Sequence, residues 1–367
     1  MTVHIFVPRW MNRSITNAQN SNARSLLTRF TDPRAHWTAV GNDEPPEAII
    51  KNGVKIIHLV RSRLWTYHLA LAYQSSFDAI FYPGVDWPDE IGIKLRRLSG
   101  RRTPVIATME GIIADQKTVG GLSDLVGHPV FAQPGVEHAI PRIRGMYETA
   151  DHIIAISPFL ARVAEFLYGK KVSCLPLGLE AGIFHSKGRR EPEHCRVIGC
   201  GTVKASKNPQ MFLQLAARFK PADFVWYGDG PLVQPLSAEA KQMGLENIRF
   251  PGGIQPASLA EEFRKSSLLV LPSYAEGVPK VTQEAAACGL PIVLNGYYDA
   301  PTVVHQRNGL VAWSDEELFE QVGALIRDRE TRAKMGEQSI EMSRNWDWDQ
   351  IAPRWEHLVI RQAASMG

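Results

Sequence analysis

Two glutamates stand eight positions apart in the stretch LLVLPSYAEGVPKVTQEAAACGLPIVL, residues 268–294: Glu276 and Glu284. The apolar run at its start reads as a buried strand. The Pro-Ser-Tyr-Ala-Glu-Gly segment reads as a loop. A helix begins near Pro279 and closes at Cys288-Gly289-Leu290-Pro291, with glycine at its end and proline beyond. Glu276 then sits just before the helix and Glu284 about two turns into it. A loop carboxylate and a helix N-terminus share the carboxyl end of one strand. Such an N-terminus gathers unpaired N–H groups and a positive dipole end, which suits a diphosphate.

The elements that must position these groups recur along the chain. Short β-branched and apolar runs, at residues 3–7, 54–59, 79–82, 105–108 and 153–156, alternate with helical stretches such as 18–30, 65–74 and 89–98. That alternation predicts a parallel sheet covered on both faces. Near residue 190 the turn-rich segment Ser186-Lys187-Gly188-Arg189-Arg190-Glu191-Pro192-Glu193 reads as a linker. The pattern then restarts, with strands at 196–200, 223–227, 248–250, 268–271 and 291–294 and a helix at 209–219. The expectation is α/β: two Rossmann-like doubly wound domains, residues 1–188 and 189–345, facing a cleft where strand carboxyl ends bind ligands.

Length and composition agree. A chain of 367 residues, 44% hydrophobic and 22% charged, suits two globular domains and excludes disorder, collagen and coiled coil. No apolar run approaches the roughly 18 residues of a spanning helix, and the N-terminus has no basic leader region. Four scattered cysteines without a CxxC pair argue against zinc or a disulfide framework and fit a reducing cytoplasm. Residues 1–190 hold 23 basic against 16 acidic side chains, and residues 191–367 hold 18 against 22. The basic first half and acidic second half predict different partners.

Several short segments, in order, resemble family 4 glycosyltransferases, whose fold is GT-B. The Glu276/Glu284 pair matches the donor-site signature. Gly201-Thr202-Val203 followed by Lys207 is similar to the family's glycine-arginine-hydrophobic turn and lysine. Tyr227-Gly228-Asp229-Gly230-Pro231, Ile248-Arg249-Phe250-Pro251-Gly252 and Asn308-Gly309-Leu310-Val311 resemble later strand-end motifs. Upstream, Ile154-Ala155-Ile156-Ser157 and Leu175-Pro176-Leu177-Gly178 resemble the end of the first domain. The resemblance spans roughly residues 151–311. It extends to a last segment, 346–367, which in GT-B proteins packs back on the first domain. Trp346, Trp348 and Trp355 are then packing anchors.

The resemblance implies a retaining, hexosyltransferase-type enzyme that needs no metal or other cofactor. Donor-site residues would be Gly201, Thr202, Lys204, Lys207, Gly228, Gly230, Glu276, Gly277, Val278 and Glu284. Lys207 would contact the donor phosphates. Glu284 would accept from the ribose hydroxyls, and Glu276 would lie near the transferred sugar beside the N–H groups of Gly277 and Val278. The partners implied are a nucleotide sugar and a glycan or lipid-pyrophosphate acceptor, in bacterial surface polysaccharide or glycolipid synthesis.

The chain also departs from the pattern. Thr202 stands where the family has arginine and cannot supply a planar donor fork, so Lys204 or Lys207 carries the charge alone, or donor binding is weak. Glu110, in Ala107-Thr108-Met109-Glu110-Gly111, stands at or beside the usual position of a histidine that faces the donor sugar. It is either a catalytic carboxylate or a strand-end turn residue. The family's N-terminal glycine-rich loop is replaced by Pro8-Arg9-Trp10-Met11-Asn12-Arg13, where Arg9, Arg13 and Asn17, with Asn20, form either an acceptor pocket or a capped loop. Asp229 and its flanking glycines also suit a tight turn.

The basic cluster Lys94-Leu95-Arg96-Arg97-Leu98-Ser99-Gly100-Arg101-Arg102 reads as a solvated helix end, or as peripheral contact with an anionic membrane on its cytoplasmic, inner face. No motif supports nucleic acid binding. Two rival functions share the fold: a nucleotide-sugar epimerase, and a catalytically silent glycan- or partner-binding protein.

Overall fold

Strands buried on both faces read as continuous apolar runs, and the four inner strands of this protein do so. Ala79–Tyr82 (β4) and Val105–Met109 (β5) are buried throughout, as are Leu268–Leu271 (β11) and Ile292–Asn295 (β12). The computed structural model describes all residues except 1, 11–17, 42–44, 59–76, 87–88, 101, 133–136, 138, 299 and 367. The chain divides into two compact units. The first comprises Met1–Ala114, Gly135–Gly178 and Trp348–Gly367, and the second Asp115–Pro134 and Leu179–Asp347.

The first unit holds a seven-stranded parallel sheet, ordered β3-β2-β1-β4-β5-β6-β7. Its other strands are Val3–Trp10 (β1), Ala35–Gly41 (β2), Lys55–His58 (β3), His152–Ala155 (β6) and Val172–Cys174 (β7). The expected helix at 65–74 lies outside the described residues. The C-terminal helix Trp348–Met366 belongs to this unit, and its tryptophans are anchors: Trp348 and Trp355 are fully buried, and the Trp355 indole donates to Pro176 O at 2.8 Å. Glu356 on the same helix accepts from the backbone N–H groups of Thr31 (3.0 Å) and Asp32 (2.9 Å).

The second unit holds a six-stranded parallel sheet, ordered β10-β9-β8-β11-β12-β13, with Arg196–Cys200 (β8), Asp223–Tyr227 (β9), Ile248–Gly252 (β10) and Gly309–Ala312 (β13). Phe212, Phe224 and Trp226 form the centre of its core, packed edge to face at 5.3 and 5.2 Å. In each sheet the strand order reverses once, between β1 and β4 and between β8 and β11. Ligands of doubly wound sheets bind at the carboxyl ends beside such reversals.

A buried ion pair stands at the reversal of the first sheet. Arg9, near the end of β1, is 5% exposed. Its guanidinium grips Asp89, which is fully buried, with bonds of 3.1 and 2.7 Å, and it also donates to the carbonyls of Pro8 and Gly84. It lies over the buried Tyr82 ring. Arg9, expected in either an acceptor pocket or a capped loop, has its charge matched by a carboxylate 80 positions away.

Removing one partner of a buried pair strands the other charge. Asp89→Ala should lower the stability of the first unit by roughly 3–5 kcal/mol in urea unfolding, and Arg9→Met with Asp89→Leu should recover most of it. Equal loss in the single and double variants would refute this account.

Candidate functional site

The loops that leave β8 and β11, neighbours across the reversal of the second sheet, carry the acid and base candidates. After β8 come Gly201 and Thr202, then the tight helical turn Ala205–Lys207. Asn208 follows in the left-handed region, and its side chain accepts from Met211 N–H, capping the helix Pro209–Arg218. The Lys207 stem folds back over Gly201.

The loop after β11 is pinned at three points. The Asn295 amide donates to Pro272 O at 2.9 Å, Tyr274 N–H donates to Ser206 O at 2.9 Å, and the Thr282 hydroxyl donates to Pro279 O at 2.6 Å. The middle bond ties this loop to the turn that bears Lys207. As a result the Lys207 ammonium pairs with the Glu276 carboxylate, with both side chains largely buried at 19% and 10% exposure. The N–H groups of Gly277 and Val278, next along the loop, make no backbone hydrogen bond among the described residues.

The helix Lys280–Ala287 follows. No side chain caps its N-terminus and its first turn holds no acid, so its positive end is free to face an anion. Glu284 is half-buried on the second turn. Burial pushes its carboxyl above the ordinary 4.5, and Lys280 opposes the rise. Cys200, at the end of β8, feels both sides of the site. Burial pushes its thiol up to about 12, the Glu284 charge adds to the rise, and Lys207 works against it. Lys207, Glu276 and Glu284 therefore share one electrostatic neighbourhood. The buried Tyr298 hydroxyl also feels this site; burial and then Glu276 raise its pKa.

The glycine turn after β9 has a structural duty. Gly228 has φ +144°, and a Cβ there would stand 2.1 Å from Gly201 O; one on Gly230 would stand 2.4 Å from Val203 O. Val203 N–H donates to Asp229 O at 3.0 Å, and the Asp229 carboxylate accepts from Gly253 N–H at 2.9 Å. The two glycines let the strand-end turns of β8 and β9 touch, and Asp229 binds the third turn, after β10. Thr202 is exposed and Lys204 half-exposed; neither side chain has a protein hydrogen bond among the described residues.

In the first unit, Glu110 directly follows β5, is half-buried and accepts from the Asn22 amide at 2.7 Å. Arg13 and Asn17 lie outside the described residues, as does the Asn20 side chain. Among the described residues no group of three or more His, Cys, Asp or Glu is placed to hold a metal ion. Sequence reasoning missed Asn295, Tyr274 and Ser206, which set the loops. Asn295 has a signal, since it is a polar residue that ends a buried apolar run; Ser206 acts through its backbone carbonyl and has none.

Residues 184–342 match the family model described as Glycosyl transferases group 1. The chain is 24% identical over 315 residues to the alpha-galactosylglucosyldiacylglycerol synthase of Streptococcus pneumoniae, covering 78% of each protein. It is 28% identical over 190 residues to the D-inositol 3-phosphate glycosyltransferase of Corynebacterium efficiens, covering 47% of this chain and 45% of that protein. Sucrose-phosphate synthase from Thermosynechococcus elongatus superposes with a TM-score of 0.76 at 15% identity, over 100% of both chains. Anabaena HepE, solved in complex with UDP and glucose, superposes at 0.72 with 14% identity, over 98% of this chain and 99% of that one. The fold is GT-B, and the segment that matches the glycosyl transferases group 1 model holds Lys207, Glu276 and Glu284.

Proposed function

We propose that the protein is a retaining glycosyltransferase of family 4 that moves a hexosyl group from a nucleotide-diphosphate sugar to a hydroxyl of a glycan or lipid-linked acceptor. The observation that carries this reading is the Lys207–Glu276 pair set beside a half-buried Glu284 and an uncapped helix N-terminus. Each feature complements one part of such a donor. The helix end and Lys207 suit the diphosphate, Glu284 the ribose hydroxyls, and Glu276 with the free N–H groups of Gly277 and Val278 the sugar. The named activity of the pneumococcal relative and the UDP and glucose in the Anabaena structure support the same assignment.

In the proposed reaction the bond between the anomeric carbon and the diphosphate oxygen breaks, and the diphosphate leaves with the electron pair. The acceptor oxygen bonds to the anomeric carbon on the same face, and its proton passes to the leaving phosphate. Lys207 and the helix N–H groups stabilise the charge that grows on the diphosphate. Glu276 stabilises the oxocarbenium-like sugar, and Glu110 is a second carboxylate for the sugar or acceptor. The reaction needs no metal in this reading.

A bacterial glycolipid or surface polysaccharide acceptor places the enzyme in the cytoplasm, at the inner membrane face. No described helix is long and apolar enough to cross a membrane. The expected basic cluster is split in the fold: Arg96 is buried and bonded to Thr103, while Arg97, Leu98 and Arg102 are exposed. Contact with an anionic surface would use these exposed side chains. Arg97→Ser with Arg102→Ser should weaken sedimentation with phosphatidylglycerol vesicles; equal sedimentation of wild type with neutral vesicles would remove the proposal.

UDP-, GDP-, ADP- and dTDP-sugars distinguish the base by thermal shift. A donor at 100 times its dissociation constant should add about 2.7 kcal/mol. Glu284→Gln should reduce that shift without removing it, and Glu276→Gln should slow turnover at least about tenfold. No shift with any donor at millimolar concentration would favour a silent binding protein, with the exposed Thr202 as the reason; sugar-nucleotide isomerisation without acceptor would favour an epimerase.

Glu284 also gives the reading a pH dependence. Its folded pKa is raised, so its contribution to stability is present at low pH and is lost as pH rises through that value. At neutral pH the free enzyme bears a burial cost that Gln does not, and Glu284→Gln should melt no lower than wild type. Binding needs the ionised acceptor, so donor affinity should fall on acidification with a midpoint above 4.5 in wild type and stay flat in Glu284→Gln. A variant that melts markedly lower, or an acid limb that survives in it, contradicts this role.

A further inference from the structure

Residues Asp115–Pro134 leave the first sheet after β5 and yet belong to the second compact unit. Asp115 caps the helix Gln116–Val126 by accepting from Thr118 N–H, and Gly127 ends it in the left-handed region. The chain beyond lies along the carboxyl ends of three neighbouring strands. The His128 ring stands 5.0 Å from Trp313, the residue after β13. The Phe131 ring stands 4.9 Å from Tyr297, two residues past β12, and 5.4 Å from Tyr274, three residues past β11. Tyr274 and Tyr297 lie nearly parallel, 6.2 Å apart.

Phe131, Tyr274 and Tyr297 thus form a closed triangle of rings. Two corners are strand-end loops and the third is the strap. Tyr274 stands two positions before Glu276, and its N–H holds the turn that carries Lys207. The other two pins of this loop, at Pro272 and Pro279, lie at its ends. The triangle is therefore the side-chain anchor of the loop's middle.

We propose that Phe131 is a positioning residue: its ring fixes Tyr274 and so sets the Glu276 loop against Lys207. This rests on the reading of Glu276 as a sugar-contact residue. The helix N-terminus and Glu284, which would hold the nucleoside diphosphate, lie outside the triangle. Loss of the ring should then impair chemistry at the sugar more than binding of the nucleotide. An aromatic pair contributes enough to predict about a three- to tenfold effect.

The test uses the full chain and needs no acceptor. Hydrolytic release of nucleoside diphosphate, with water taking the sugar as free hexose, is followed from UDP-glucose and GDP-mannose, and dissociation constants are measured for UDP and GDP alone. Phe131→Ala should slow release about three- to tenfold, with the diphosphate dissociation constant within about twofold of wild type. Phe131→Tyr should restore the rate, and Phe131→Ala with Tyr274→Ala should be no slower than Tyr274→Ala, because both remove one contact. Glu276→Gln serves as the control for the underlying reading. Phe131→Ala at the wild-type rate beside a slow Glu276→Gln would overturn the proposal, as would multiplying effects in the double variant. Diphosphate affinity lost in parallel with rate would mark Phe131 as a general support of the unit and also overturn it. Glu276→Gln at the wild-type rate would instead overturn the reading of the loop itself.

Discussion

Strand order reverses once in the second sheet, and everything at the candidate site follows from that reversal. β8 and β11 are hydrogen-bonded neighbours whose helices must leave on opposite faces of the sheet. Their exit loops diverge and open a crevice at the carboxyl edge. One loop brings a lysine, the other a glutamate, and a backbone bond from Tyr274 to Ser206 closes the gap enough for the two to pair. The first sheet has the same reversal, between β1 and β4, and there Arg9 and Asp89 form a buried ion pair. A topology that makes a crevice does not by itself make a ligand site; the side chains at the reversal decide.

The charge arrangement at the second reversal is unlike a structural ion pair. Arg9 and Asp89 are joined by two bonds and are buried, which is how a fold retains charge in its interior. Glu284 sits half-buried with its carboxyl pushed upward and Lys280 in opposition, and Cys200 beside it carries a thiol raised to about 12. Burial without full pairing costs stability, and a perturbed carboxylate in a crevice is the pattern of a site that waits for a partner.

Much of this was legible in the chain because it is local. The strand at 268–271, the loop glutamate, the helix start near Pro279 and the glycine that follows it form one continuous run, so hydrophobic period, turn residues and capping all act within about 25 positions. The glycine turn at 228–230 was legible as a turn for the same reason. What escaped is non-local. Arg9 has the sequence context of a loop cation, and only a carboxylate 80 positions away makes it a core residue. Ala35–Gly41 was not among the expected strands, although it pairs with both β1 and β3. The helix Gln116–Val126 has ordinary amphipathy, and nothing within it records which of two sheets it will cover. The tie between the two site loops is a backbone bond, to which side-chain identity is blind.

The Lys207–Glu276 pair also bears on the missing arginine. A lysine in a crevice that awaits a diphosphate would, without a counter-charge, be a largely buried and unpaired cation in the free protein, which is costly. Glu276 prevents that by lending a counter-charge on a loop that a backbone bond and a ring triangle hold in place. In the proposed reaction a diphosphate takes over the ammonium, and Glu276 is released toward the sugar as positive charge develops there. The exchange needs one cation that can pivot between two anions. Lysine, a point charge on a flexible stem, pivots; an arginine fork at position 202 would add affinity through fixed geometry and would not move. On this view Thr202 lowers the affinity for the diphosphate and leaves intact the exchange that couples its arrival to the placement of Glu276.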